Sequence, residues 1–183
     1  MKMEKVEFIA VGMLKNKNME SQLIKRARQL AFSYHKNQKY GLHPYSYHLD
    51  SVVKLVKLYS YMIPEDLKED AICIAYLHDI LEDTLCTQDE ILRALNPRIL
   101  LIVKLLTKNE SDLEKYFNKI ALDDLAIFIK LCDRYSNILE SIRDGNHRKL
   151  AKYKEQNPLF IRILLDKKYN DLIKEIKKIF ESN

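Results

Sequence analysis

The chain has 183 residues, enough for one substantial core and too few to expect two. Hydrophobic residues make up 47% and charged residues 31%, which excludes a disordered chain, and three Gly and four Pro are too few for the turns of a sandwich or barrel. The net charge of +5, from 31 basic and 26 acidic residues, is mild and has no basic run interleaved with aromatics, so a nucleic-acid partner is not expected.

Residues 1–17 read as an N-terminal extension: a short strand, a tail or an oligomer contact. Its apolar run "FIAVGML" is short for a signal peptide and lacks a clear small-residue cleavage site. No apolar run reaches the roughly 18 residues of a membrane span, so no membrane partner is expected. From Glu20 to Tyr34, Leu23, Ile24, Ala27, Leu30, Ala31 and Tyr34 recur at helical spacing. "KNQKYGLHPYSYH" then reads as a loop punctuated by Gly41 and Pro44. A second helix is expected from Tyr47 to Met62, burying Val52, Val53, Val56 and Tyr59.

Pro64 suits the first position of a third helix, which carries "EDLKEDAICIAYLHDILED". Thr87 with Glu90 has capping-box spacing, as does Ser111 with Glu114. Pro97 opens a helix holding Ile99, Leu100, Ile102, Val103 and Leu106. "ALDDLAIFIKLCDRYSNILESI" is a long apolar-periodic helix, and Gly145 sits in a break after it. "RKLAKYKEQ" and a helical stretch from Pro158 to Phe180 complete an all-α chain, read as one domain over residues 18–183. Cys73, Cys86 and Cys132 form no CxxC pair, which fits buried thiols in a reducing cytoplasm.

The informative stretch is "AYLHDILEDT", which sets His78, Asp79, Glu82 and Asp83 in an apolar helix from Ala71 to Asp83. His78 and Glu82, like Asp79 and Asp83, stand one helical turn apart. Burying such groups unpaired is expensive, and a divalent cation resolves the cost. His48, at the start of the second helix, and Asp133, set among apolar neighbours, are the further candidate ligands. Imidazole with carboxylate suits Mn, Fe, Co or Zn better than Ca, and such a set suits hydrolysis at phosphorus.

His48, His78-Asp79 and Asp133 together form the pattern H…HD…D, which resembles the HD-domain metal-dependent phosphohydrolases. "HKNQKYGLHPYSYH", "AYLHDILEDT" and "KLCDRYSN" are most similar to the hydrolase half of the guanosine tetraphosphate synthetase/hydrolases and to the small alarmone hydrolases. The resemblance runs from about Ser21 to Leu150. A lone HD dipeptide is weak; the HDxxEDT run with its upstream His and downstream KLxDRxxN is strong.

The resemblance implies an HD-domain helical bundle. It implies His48, His78, Asp79 and Asp133 as metal ligands, with manganese or another divalent transition ion, and Glu82 and Asp83 as the groups that position and deprotonate water. Asn137 would bind a nucleotide substrate and Arg134 would orient the site, pairing with an acidic group. The reaction would remove the 3′-pyrophosphate of guanosine tetra- or pentaphosphate. The loop before His48 departs from the family: Lys39-Tyr40 stands where an Arg-Lys pair is usual, about one residue shorter. Glu140 stands where a small hydroxyl residue near the base is usual.

Lys39, Tyr45 (stacking on a base), Lys152 and Tyr153 are further candidate substrate contacts. His35 reads as structural, His43 as a loop residue, and His147, Arg148 and Lys149 as solvated surface. Two other readings stand beside the leading one: an HD phosphohydrolase for another nucleotide (a nucleoside monophosphate, a cyclic nucleotide or NADPH), and a non-catalytic nucleotide-sensing HD module. The intact Glu82-Asp83 pair speaks against the sensor.

Overall fold

Ser21 starts the first helix: its hydroxyl accepts from the Ile24 N–H, satisfying one of the amides a helix start leaves open. That helix, α1, spans Gln22–Tyr34 in a computed structural model that describes residues 20–109, 111–164 and 167–182. The reading of residues 1–17 lies outside the described residues.

The expected loop contains a two-stranded hairpin, β1 (Lys39–Tyr40) and β2 (His43–Pro44). Gly41 at φ +59° takes the first turn position, the place where a two-residue II′ turn calls for glycine. Helix α2 (Tyr45–Leu58) begins two residues earlier than expected, and Ser60–Met62 continues as a separate 3₁₀ turn. Pro64 precedes a 3₁₀ turn, Glu65–Leu67, that leads into α3 (Lys68–Leu77). Helix α4 (Ile80–Asp83) follows directly. Helix α5 (Gln88–Ala94) has the Thr87–Glu90 capping box, and α6 (Pro97–Leu106) has Pro97 in its first turn after an Asn96 cap.

Helix α7 (Leu113–Ile120) is capped by Asp112, which accepts from the amides of Glu114 and Lys115; Ser111 does not take that role, because one carboxylate oxygen serves both amides. Helix α8 (Asp124–Arg143) is the long helix expected. Helix α9 (His147–Leu164) runs through Pro158, which opens no new helix; its ring costs one ladder bond, while Phe160 and Leu164 beyond it are anchored in the core. A 3₁₀ turn, Lys167–Tyr169, leads into α10 (Asn170–Ser182).

Two helices organise the core. The α3 helix buries Ala71, Cys73, Ile74, Ala75, Tyr76 and Leu77, so it is apolar nearly all round and packs against α1, α2, α6 and α8. The α8 helix packs against α2, α3, α6, α7, α9 and α10. Polar groups of α8 that face inward, Asp133 and Asn137 among them, therefore meet the C-terminal end of α3. All three cysteines are free and buried, and among the described residues no helix is long and apolar enough to cross a membrane.

The chain leaves α8 through a left-handed glycine. Gly145 has φ +63°, its N–H donates to the Ile142 carbonyl, and the Asn146 N–H donates to the Ser141 carbonyl at 2.7 Å. This pair of bonds is a Schellman close, and it sends α9 back over the site. Gly145→Ala is expected to cost about 1–2 kcal/mol, since an L side chain is strained there, read as a lower midpoint in urea unfolding with an unchanged slope.

Candidate metal centre

The helix expected from Ala71 to Asp83 is broken. Asp79 adopts φ −103° and ψ −2°, and α4 restarts with its carbonyl accepting from the Glu82 and Asp83 amides. In a continuous helix, neighbouring side chains point about 100° apart. The break lets both converge, and His78 Nε2 lies 2.9 Å from Asp79 Oδ2.

His48 reaches the same point from the first turns of α2. The His48 and His78 Nε2 atoms are 3.3 Å apart, and Asp133 Oδ1 lies 3.4 Å from the first and 3.5 Å from the second. Asp79 Oδ2 is 3.7 Å from His48 Nε2. Donors about 2.1–2.2 Å from one transition ion stand roughly 3.0–3.5 Å apart, so this spacing fits a shared cation. The tautomer agrees: His78 Nδ1 sits 2.9 Å from the Ala75 carbonyl, so it carries the hydrogen and Nε2 presents a lone pair. His48, His78 and Asp133 are all buried, and their donor atoms lie within 4.8 Å of one another. The donor set therefore fits a divalent metal.

The electrostatics follow. Burial alone would lower the His78 pKa, but the Asp79 and Asp133 carboxylates outweigh it and raise it well above the ordinary value. Burial pushes the Asp133 carboxyl up, and Lys130 with the two imidazoles pulls it well below the usual range. Asp79 is likewise lowered, by His78 against its own burial. Without metal the carboxylates thus favour a proton on His78, and a cation competes with it. Binding of a divalent cation is expected to release protons and to tighten as pH rises. Titration calorimetry in buffers of different ionisation enthalpy measures the release; equal heats in all buffers would contradict it.

Glu82 and Asp83 project from the short α4 beyond the break. Asp83 Oδ2 accepts from Gln38 Nε2 at 3.0 Å and lies 3.1 Å from the Tyr45 oxygen. Glu82 Oε2 accepts from the Lys108 amide at 2.7 Å, and partial burial raises its pKa against that bond. His35 is structural, as expected: it is buried, stacks on Tyr45 with centroids 4.5 Å apart, and bonds Gln38 Oε1 at 2.6 Å.

Several expected substrate contacts are placed differently. Tyr45 is buried rather than offered to a base: its hydroxyl donates to Asp79 Oδ2 at 2.5 Å, its ring stacks on His35, and Tyr40 and His48 meet it in edge contacts. Asn137 is 9% exposed, donates from Nδ2 to Asp133 Oδ1 at 2.5 Å, and accepts from the Tyr40 hydroxyl at 2.7 Å. Among the described residues Arg134 pairs with no acid; it donates to the Tyr153 carbonyl at 2.6 Å and lies over the Tyr153 and Phe160 rings. Burial lowers its pKa to about 10.

Lys39, Tyr40, Gly41, Glu140, Asp144 and Lys149 line a cavity of about 150 Å³, joined to the cluster through Tyr40, which stacks on His48. Lys152 is exposed, and it is Lys149 that lines the cavity. On a helix, Lys149 and Tyr153 stand about 40° apart and Lys152 stands about 100° from Tyr153, so the first pair shares a face. Tyr153 is half-buried, and burial first, then the Asp133 charge, raises its pKa. Glu140 is buried and answered by Arg143 and the Tyr47 hydroxyl.

Sequence reasoning missed Lys130 and Lys149. Lys130 Nζ donates to Asp133 Oδ2 at 2.8 Å, and Lys149 Nζ donates to the Tyr40 hydroxyl at 2.7 Å. The signal for Lys130 was a lysine one turn from Asp133 in an apolar run, and for Lys149 its one-turn spacing to Tyr153.

No family model matches the chain. In sequence it is 31% identical over 146 residues to a guanosine-3′,5′-bis(diphosphate) 3′-pyrophosphohydrolase of Aquifex aeolicus (strain VF5), covering 70% of this chain and 19% of that protein. The chain thus spans about a fifth of the length of that relative. In structure it is similar to a solved protein described as a metazoan ortholog of SpoT that hydrolyzes ppGpp and plays a role in starvation responses. The TM-score is 0.73 at 20% identity, over 90% of this chain and 97% of that one. The resemblance read from the motifs is borne out: the chain is homologous over most of its length to a 3′-pyrophosphohydrolase of guanosine bis(diphosphate) and has the all-α fold of the metazoan protein.

Proposed function

We propose that the chain is a metal-dependent phosphohydrolase that removes the 3′-pyrophosphate of guanosine tetra- or pentaphosphate, releasing pyrophosphate and GDP or GTP. The observation that carries the reading is the convergence of His48, His78, Asp79 and Asp133 on one point, with Glu82 and Asp83 beside it. The activities named for the two similar proteins support it. We assign residues 18–183 to the hydrolase domain, and a cytoplasmic setting is supported by the three free cysteines.

His48 Nε2, His78 Nε2, Asp79 Oδ2 and Asp133 Oδ1 would hold the ion, manganese by the resemblance. Bound there, it would supply Lewis-acid neutralisation of phosphoryl charge. Glu82 and Asp83 hold a water and take its proton. Asp83 is aimed by Gln38, and Glu82 by the Lys108 amide. Water oxygen adds at phosphorus, the bond from phosphorus to the ribose 3′ oxygen breaks, and that oxygen leaves with a proton. Lys39 and Lys149 in the cavity wall, with Tyr153 beside Lys149, gather the anionic substrate and cost no reorganisation when charge develops.

Tyr40 and Glu140 in the cavity wall support a second reading, in which the same centre hydrolyses another nucleotide. A panel of guanosine tetraphosphate, NADPH, a cyclic nucleotide and nucleoside monophosphates tests both, with products separated by ion exchange. The first reading expects guanosine tetraphosphate to be consumed at least about 100-fold faster than the others, a gap that binding differences of a few kcal/mol produce. Preference for another member of the panel sinks it in favour of the second.

A further inference from the structure

Tyr40 joins two walls of the site. Its ring lies flat on the His48 imidazole, with centroids 4.6 Å apart and planes at 14°. Its hydroxyl accepts from Lys149 Nζ at 2.7 Å and donates to Asn137 Oδ1 at 2.7 Å. Asn137 donates from Nδ2 to Asp133 Oδ1 at 2.5 Å and to the Asp133 carbonyl at 3.0 Å. Lys130 takes the other carboxylate oxygen, Oδ2, at 2.8 Å.

The polarity of this chain has one direction. An ammonium only donates, so Lys149 claims a lone pair of the Tyr40 oxygen and leaves the hydroxyl hydrogen for Asn137. That hydrogen selects Oδ1 of the amide, which turns Nδ2 toward Asp133. The opposite amide orientation would set Oδ1 against a carboxylate oxygen. Lys130 and Asn137 therefore grip Asp133 from two sides, and Oδ1 is the oxygen left facing the two Nε2 atoms.

We propose that Tyr40 is a positioning residue of the metal centre: its ring sets the plane of His48, and its hydroxyl, acting through Asn137, aims Asp133 Oδ1 at the point where the imidazoles meet. The inference rests on the metal reading above. It assigns a task to a position where the chain departs from the hydrolases it resembles.

Tyr40→Phe keeps the ring and deletes only the hydroxyl. Partners that orient a ligand are commonly worth about 10–100-fold in metal affinity. Manganese affinity, by titration calorimetry of the full chain, is expected to fall about tenfold in Tyr40→Phe. The visible absorption of the cobalt-loaded protein is expected to shift, a change that loss of general stability would not cause. Tyr40→Leu, which also removes the stacked ring, is expected to lose more. In an Asn137→Ala background, Tyr40→Phe is expected to cost little more, because the hydroxyl acts through that amide. Wild-type affinity and spectrum in Tyr40→Phe, with wild-type protein binding manganese, would overturn the inference and leave the metal reading standing. An equal loss in both backgrounds would also overturn it. A wild-type protein that binds no divalent ion would overturn both.

Discussion

Asp79→Ala is expected to lose at least about 1,000-fold in turnover, together with at least about 100-fold in manganese affinity. Asp79 Oδ2 stands 2.9 Å from one imidazole Nε2 and 3.7 Å from the other. Its loss removes a proposed ligand and one of the two carboxylates whose charge acts on His78. The apo protein is expected to stay folded, because Asp133 still faces His78 at 3.5 Å. Parallel metal titration and circular dichroism check this. Retained activity in a folded variant would contradict the site assignment.

Glu82→Ala is expected to lose about 100–10,000-fold in turnover, the usual span for a general base, while keeping manganese affinity. The contrast with Asp79 comes from placement: Glu82 Oε2 is held by the Lys108 amide beyond the break, outside the donor cluster. The pH dependence has a definite sign. Partial burial raises the Glu82 pKa, and the group works as a base only when ionised. Activity should therefore be lost as pH falls through that raised pKa, above the roughly 4.3 of a free glutamate. A profile of kcat for metal-saturated enzyme measures the limb, since metal loss at low pH then does not mask it. An acid limb unchanged in the residual activity of Glu82→Ala would assign the base elsewhere.

The helices were legible because most obey simple periodicity and capping rules. Thr87 with Glu90 is a capping box in sequence and in structure, and Pro97 after Asn96 starts α6. His78, Asp79 and Asp133 stood out as charged or ligating groups in apolar runs, and His48 through the motif resemblance; the structure brings the four side chains together. What sequence did not reveal comes from tertiary context. The run from Ala71 to Asp83 has helical spacing throughout, and the break at Asp79, where its side chain meets His78, has no local signal in the sequence. Ser111 and Asp112 are both good caps, and local competition between them leaves Asp112 in place. Lys149 looked like solvated surface because its neighbours are basic; the Schellman close at Gly145 is what folds it against Tyr40. Tyr40 carries no motif, since its importance lies in residues about 100 positions away that meet it only in the fold.

The central claim is most directly tested by pyrophosphate release from guanosine tetraphosphate by the purified chain with manganese, beside an EDTA-treated sample. Stoichiometric pyrophosphate and GDP, abolished by EDTA and restored by added manganese, is the expected result. Manganese-loaded protein that leaves guanosine tetraphosphate intact would contradict the claim.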